Sequence, residues 1–254
     1  MLYDAIAPLL PGVQKPARYT GGEVNMVKKN PEAVRVRFAF CFPDTYEVGM
    51  SHLGMKILYH ILNKREEFYC ERVFAPWMDM ERAMRENQIP LYSLETFTPV
   101  RDFDLVGFTL QYEMSYTNVL NMLDLAGIPM TWKERDAVDA PFVVCGGPCA
   151  FNPEPLADFV DLFMVGDGEE QILELCEHYD AWKARGGTRE EFLLEMANIE
   201  GNYVPRFYEA QYDGAGEFAG LVRTRHDVPP RIRKRCIPDL DHGDYPGRLI
   251  VPFT

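Results

Sequence analysis

A chain of 254 residues, 47% hydrophobic and 13% aromatic, can bury a full core and is long for one minimal α/β unit, so one domain with appendages is expected. A net charge of -13 opposes indiscriminate binding to polyanions, because phosphate affinity comes largely from lysine and arginine. No apolar run approaches the ~20 residues of a membrane span, and the first residues lack a basic segment followed by an apolar one, so the chain reads as cytoplasmic with no membrane partner. Its six cysteines, Cys41, Cys70, Cys145, Cys149, Cys176 and Cys236, fall mostly inside apolar runs and read as buried free thiols.

Residues 1–33 are broken by Pro8, Pro11, Pro16, Gly21, Gly22 and Pro31 and read as an N-terminal arm with one short helix. From Val34 the pattern becomes short apolar runs alternating with amphipathic segments, the mark of βαβ units and a parallel sheet. The strands are predicted at 34–42, 69–75, 104–110, 142–145 and 161–165. Between them, Ile57, Leu58, Ile61 and Leu62 share a helical face, as do Val119, Leu120, Leu123 and Ala126, and later Ile172, Cys176 and Tyr179. The pattern predicts a flavodoxin-like, Rossmann-like α/β domain over 34–186, with a five-stranded parallel sheet and helices on both faces. Residues 187–254 read as an extension: a helix at 190–197, a β-hairpin of 203–212 and 218–224 around Asp213-Gly214-Ala215-Gly216, and a proline-rich extended linker. Ile250-Val251-Pro252-Phe253 has the look of a strand start. Arg223 to Arg235 is locally basic; it reads as a solvated linker, with guidance of an RNA substrate as the alternative.

In open parallel sheets, ligands sit beyond the carboxyl ends of the strands, where helix N-termini present unpaired amides. Three apolar runs here end in turns that would line one such rim. Val34 to Phe42 opens into Pro43-Asp44-Thr45-Tyr46-Glu47-Val48-Gly49, Phe142 to Cys145 into Gly146-Gly147-Pro148, and Leu162 to Val165 into Gly166-Asp167-Gly168-Glu169. Glycine at these turns allows close approach of a ligand to backbone, although βα turns also carry glycine for backbone reasons alone. His52 follows Ser51 near a helix start, where it is either a ligand-facing group or a packing residue. Cys145 and Cys149 are not spaced as a redox pair and read as inert. Glu169 and Glu170 complement a helix dipole, while Asp167 and Glu169 also suit ribose hydroxyls.

Asp44-Thr45-Tyr46-Glu47-Val48-Gly49 has the spacing of the Asp-x-His-x-x-Gly motif of cobalamin-binding domains, with Tyr46 where histidine would stand. More closely, the chain resembles the N-terminal half of an uncharacterised bacterial subfamily of cobalamin-binding-type radical SAM proteins. The resembling segments are Pro16 to Tyr19, Phe42 to Ser51, Gln111-Tyr112-Glu113, Cys145-Gly146-Gly147-Pro148 and Asn152-Pro153-Glu154-Pro155, within residues 16–170. The resemblance implies a cobalamin-binding-like domain that, in the full protein, positions a corrinoid or gates substrate over a radical SAM barrel. On that implication Asp44, Tyr46 and Gly49 shape the first loop with Glu47, Met50 and Ser51. Thr109 and Gln111 face the ligand, Gly146, Gly147 and Pro148 admit its tail, and Gly166, Asp167, Gly168 and Glu169 contact its far end. Met50, Met55, Tyr112 and Met114 either pack on a corrin face or belong to the core.

The chain departs from the family twice. A phenol at 46 does not suit cobalt, so cobalamin would bind base-off without a histidine ligand. The Cys-x-x-x-Cys-x-x-Cys loop that holds the iron-sulfur cluster for S-adenosylmethionine is absent: Cys145 and Cys149 have the first spacing, but Asn152 stands where the third cysteine would be. The 254 residues therefore read as part of a longer protein, without catalytic residues or a metal site of their own, whose own C-terminal barrel carries the cluster. Two other readings stand beside this one. The first is a noncatalytic interaction domain with a degenerate cofactor site. The second, a flavin mononucleotide or sugar phosphate site, is disfavoured because the first loop lacks the small hydroxyl residues that cradle a phosphate.

Overall fold

The computed structural model describes residues 2–239, 241 and 243–252. In chain order the main elements are α1 (Leu2–Ile6), β1 (Val36–Phe42), α2 (Tyr46–Ser51), α3 (Leu53–Lys64), β2 (Phe68–Phe74), α4 (Met78–Glu86), β3 (Leu105–Thr109) and α5 (Tyr116–Ala126). There follow α6 (Trp132–Arg135), β4 (Phe142–Gly146), β5 (Leu162–Met164), α7 (Gly168–Arg185), α8 (Arg189–Ala197), β6 (Asn202–Tyr203), β7 (Tyr208–Tyr212) and β8 (Phe218–Arg223).

The sheet runs β2-β1-β3-β4-β5-β6, with β1 to β5 parallel and β6 antiparallel to β5. The five parallel strands are in the flavodoxin order, and strand order reverses between β1 and β3. Right-handed crossovers then place α3 on one face and α4 and α5 on the other. α3 packs beside α7, while Arg85 of α4 bonds Asp124 and Asn121 of α5. β1 is buried along nearly its whole length, as a strand covered on both faces should be.

Several elements differ from the sequence expectation. α4 was not anticipated, because only Met80 and Met84 of its nine residues are buried. Asn202 and Tyr203 extend the main sheet as a sixth strand, so the hairpin begins at Tyr208. α8 buries Phe192, Leu193 and Met196 in the same core as the sheet, so the core continues past residue 186. Val251 and Pro252 form no strand, and Phe253 lies outside the described residues. Five of the six cysteines are buried and Cys236 is exposed.

Both ends of the chain wrap the body. Arg72 of β2, fully buried, donates to both carboxylate oxygens of Glu23 in the arm at 2.8 Å and to Glu95 at 2.6 Å. At the other end a strap crosses the rim. Arg235 pairs with Gly166 in a parallel bridge, Asp244 reaches Lys64 of α3, and Ile250 accepts the Asn25 amide. No helix among the described residues is long and apolar enough to cross a membrane.

Candidate functional site

The reversal of strand order opens a crevice at the carboxyl ends of β1 and β3. A cavity of about 330 Å³ lies there, at the lower end of the roughly 300–1,000 Å³ range of small-molecule sites. Its walls are apolar, formed by Phe38 and Phe40 of β1, Leu58 of α3, Val144 of β4 and Ile172 of α7. Gly107 shapes the floor, since a Cβ there would stand 2.3 Å from the Phe38 ring. The ring can lie over the strand only because position 107 has no side chain.

Nine of the fifteen predicted site residues line this cavity: Thr109, Gln111, Gly146, Gly147, Pro148, Gly166, Asp167, Gly168 and Glu169. Three separate turns are thus brought together around one hollow. Gly147 adopts φ 97° and ψ -180°, a conformation essentially restricted to glycine, and a Cβ would meet the Leu110 carbonyl at 2.8 Å. Gly166, at φ 113°, serves the strap as well, because its Cβ would fall 2.1 Å from the Arg235 carbonyl oxygen. Asp167 is likewise engaged by the strap, its Oδ2 accepting the Ile237 amide at 2.8 Å.

The other six predicted residues do not line the cavity. Tyr46 turns away and donates to Glu23 at 2.8 Å, with its ring edge-on to Phe74. Burial and the Glu23 charge push its phenol pKa upward, so the hydroxyl stays protonated. Glu47 pairs with Lys15 at 2.9 Å and Arg18 at 2.8 Å, and Ser51 donates to the Glu47 carbonyl. Gly49 is needed because a Cβ would strike Phe74 at 2.3 Å, and the Met50 sulfur accepts from Arg72. Asp44 caps its own turn through Thr45 and accepts from Tyr112 at 3.3 Å. The first loop therefore anchors the N-terminal arm, a role set by Glu23 and Arg72 far away in sequence.

His52 does line the cavity, together with Gly54, whose missing Cβ leaves room for the imidazole. Nδ1 of His52 accepts the Met55 amide at 3.1 Å, and Nε2 lies 2.9 Å from Gln111 Oε1. Gln111 Nε2 in turn donates to Thr109 Oγ1 at 2.6 Å. Sequence reasoning had only the pairing of Ser51 with His52 to single this residue out. It had no signal for the strap, which joins the rim through backbone bonds.

Of the methionines and tyrosine considered for a corrin face, Met55 is core, whereas Tyr112 and Met114 are exposed at the rim. Leu53 at the start of α3 and Phe151 in the turn after β4 are exposed as well, which adds apolar surface near the rim. Burial pushes the Cys145 and Cys149 thiols up, which disfavours thiolate chemistry at either. In the basic segment, Arg225 pairs with Asp227 and Glu190, and Arg235 pairs with Glu170 and Glu174. Two of its basic side chains are thereby paired with carboxylates.

Residues 54–205, more than half of the chain, match the family model described as radical SAM proteins, N-terminal. An uncharacterized protein of Methanocaldococcus jannaschii is 29% identical over 133 residues, covering 52% of this chain and 24% of the relative. Two structures of OxsB, a cobalamin-dependent S-adenosylmethionine radical enzyme, align at 13% identity. One has aqua-cobalamin and S-adenosylmethionine bound (TM-score 0.40) and the other aqua-cobalamin alone (0.41); each alignment covers 76% of this chain and 24% of the enzyme. The chain spans about a quarter of the length of these proteins.

Proposed function

From the premise that this chain belongs to the N-terminal family of radical SAM proteins, we propose that it binds a corrinoid at the rim of its sheet, within a longer protein whose remainder carries the iron-sulfur cluster. The observation that carries this reading is the apolar slot of about 330 Å³ under the glycine turns after β4 and β5. Such a slot suits a flat nucleotide tail and not a whole corrinoid. The ring would lie outside, over the exposed Tyr112, Met114, Leu53 and Phe151. When bound, the corrinoid would supply cobalt-centred alkyl or electron transfer.

The chain's own residues act by positioning. Phe38 and Phe40 exclude water from the slot, the Gly146-Gly147 turn brings backbone close to the tail, and Thr109 and Gln111 supply its polar contacts. Tyr46 offers cobalt no ligand, because its hydroxyl is committed to Glu23. The base-off mode without a histidine ligand agrees with that geometry.

The exposed apolar rim also favours a second reading, an interaction domain whose rim holds the rest of the protein with no corrinoid. Gel filtration after mixing with hydroxocobalamin or with cobinamide, which lacks the nucleotide tail, separates the two. The corrinoid reading expects corrin absorbance to co-elute with the protein for hydroxocobalamin, and much less for cobinamide. No co-elution at tens of micromolar with either compound supports the interaction domain.

A further inference from the structure

Away from the slot, α3 borders a second hollow. Lys56, His60 and Lys64 stand four residues apart and form one stripe along this helix. Asn25 and Val27 of the N-terminal arm and residues 246 and 248–250 of the strap close over the stripe. They leave a cavity of about 220 Å³ that shares no lining residue with the slot. Hydrogen bonds hold this enclosure together. The Asn25 side chain donates to the Leu249 carbonyl at 2.7 Å, its backbone amide donates to the Ile250 carbonyl at 3.1 Å, and the Val27 amide donates to the Tyr59 hydroxyl at 3.0 Å.

The charge of this cavity is the reverse of the chain's. Acids outnumber bases 39 to 26 in the sequence, yet the lining holds Lys56, Lys64 and Arg248 and, among the described residues, no carboxylate. Asp244, beside the lining, offsets part of this excess: it pairs with Lys64 at 2.6 Å and lies 3.4 Å from His60 Nε2. Lys56 is half-buried and Arg248 exposed, and neither has an ion-pair or hydrogen-bond partner among the described residues. Like charges gathered in a concavity repel one another and lose hydration, a cost that a bound anion reverses. Burial pushes the Tyr59 pKa up, so its hydroxyl keeps a proton that it can donate to a ligand oxygen. Val27, Leu249 and Ile250 supply carbon surface beside the charges.

We infer that this cavity binds a small phosphate monoester, with Lys56 and Arg248 as the cations that receive the phosphate and the aliphatic lining as the wall for its carbon skeleton. An arginine fork and a lysine ammonium both suit phosphate oxygens. The volume lies below the roughly 300 Å³ at which sites for drug-sized ligands begin, which limits the ester to a few carbons. Such a ligand touches the arm, α3 and the strap at once, so it favours the docked arrangement of both ends of the chain. The inference does not rest on the corrinoid reading.

Calorimetric titration of the chain with glycerol 3-phosphate at fixed ionic strength tests this. Expected is saturable binding with a Kd below about 1 mM, weakened about tenfold or more in Lys56→Gln and in Arg248→Gln and restored in Lys56→Arg. Lys133→Gln, at a lysine outside the cavity, should bind as wild type does. Because Lys56 and Arg248 hold no partner, the melting temperatures of their variants without ligand should match that of wild type. Glycerol 3-phosphate at ten times its Kd should also slow tryptic cutting after Arg248 about tenfold in wild type, and only about twofold at the same concentration in Lys56→Gln. Absence of saturable heat up to about 10 mM, an equal loss in Lys133→Gln, or succinate binding as tightly as glycerol 3-phosphate overturns the inference.

Discussion

Gly166→Ala separates the strap from the body of the molecule. A Cβ at this position would stand 2.1 Å from the Arg235 carbonyl oxygen and 2.6 Å from its nitrogen, and the backbone φ of 113° is one that alanine rarely adopts. Either the turn distorts, at roughly 1–3 kcal/mol, or the strap lifts. Lifting breaks the Arg235 amide bond to Val165 (2.8 Å), the Asp167 amide bond to Arg235 (3.1 Å) and the Ile237 amide bond to Asp167 (2.8 Å). At about 1 kcal/mol each, with little added by the partly exposed Arg235 ion pairs, the loss is roughly 3 kcal/mol. That raises the population of the detached strap about 100-fold, and cleavage of the open form should follow it. Trypsin under native conditions reads this at Arg231, Arg233, Lys234 and Arg235. Cutting there should be much faster, with the urea midpoint of the core nearly unchanged. Cutting within about threefold of wild type would refute it.

Glu95→Gln leaves Arg72 buried with one carboxylate partner fewer, and should destabilise the protein by about 3 kcal/mol in urea titrations. The pH dependence of the N-terminal arm follows from Glu47. Partial desolvation opposes its ionisation, but bonds from Lys15 and Arg18 prevail and hold its pKa near about 2. Because the folded value lies below the unfolded value of about 4.3, this contribution is complete above the unfolded value and is lost as pH falls towards about 2. Fluorescence of Trp77, over which Arg18 stacks, should therefore report constant docking near neutrality and release of the arm in acid. With a thiol reagent, the native protein should label rapidly at Cys236 alone, and peptide mapping of a quenched reaction checks this.

Much of the fold was legible because β1 to β5 are buried on both faces and, apart from Arg37 in β1 and Glu71 and Arg72 in β2, read as apolar runs. The rim turns were legible for a related reason: glycine marks backbone that must pass something closely, as at Gly147. What that something is cannot be read locally. At Gly166 it includes the Arg235 backbone, and at Gly49 it is the Phe74 ring. The first-loop motif lies off the cavity for the same reason. Asp44 to Ser51 carries a ligand-site spacing, but the direction of Tyr46 is decided by Glu23, which itself is held by Arg72. β6 has only two residues, too few to show any alternation. α4 carries its apolar stripe on Met80 and Met84 alone, so periodicity gave little to detect.

On the proposed function, the slot beneath the glycine turns is where the nucleotide tail would enter. Gly168 offers a direct way to close it, because a Cβ there meets only Leu58, at 3.7 Å, and its backbone is ordinary helix start. Gly168→Phe should fill the cavity without unfolding the protein. Equilibrium binding of hydroxocobalamin to wild type and to this variant decides the matter. If the tail enters the slot, the variant, with an unchanged melting temperature, should bind at least about tenfold more weakly. Equal binding by the two proteins would contradict it.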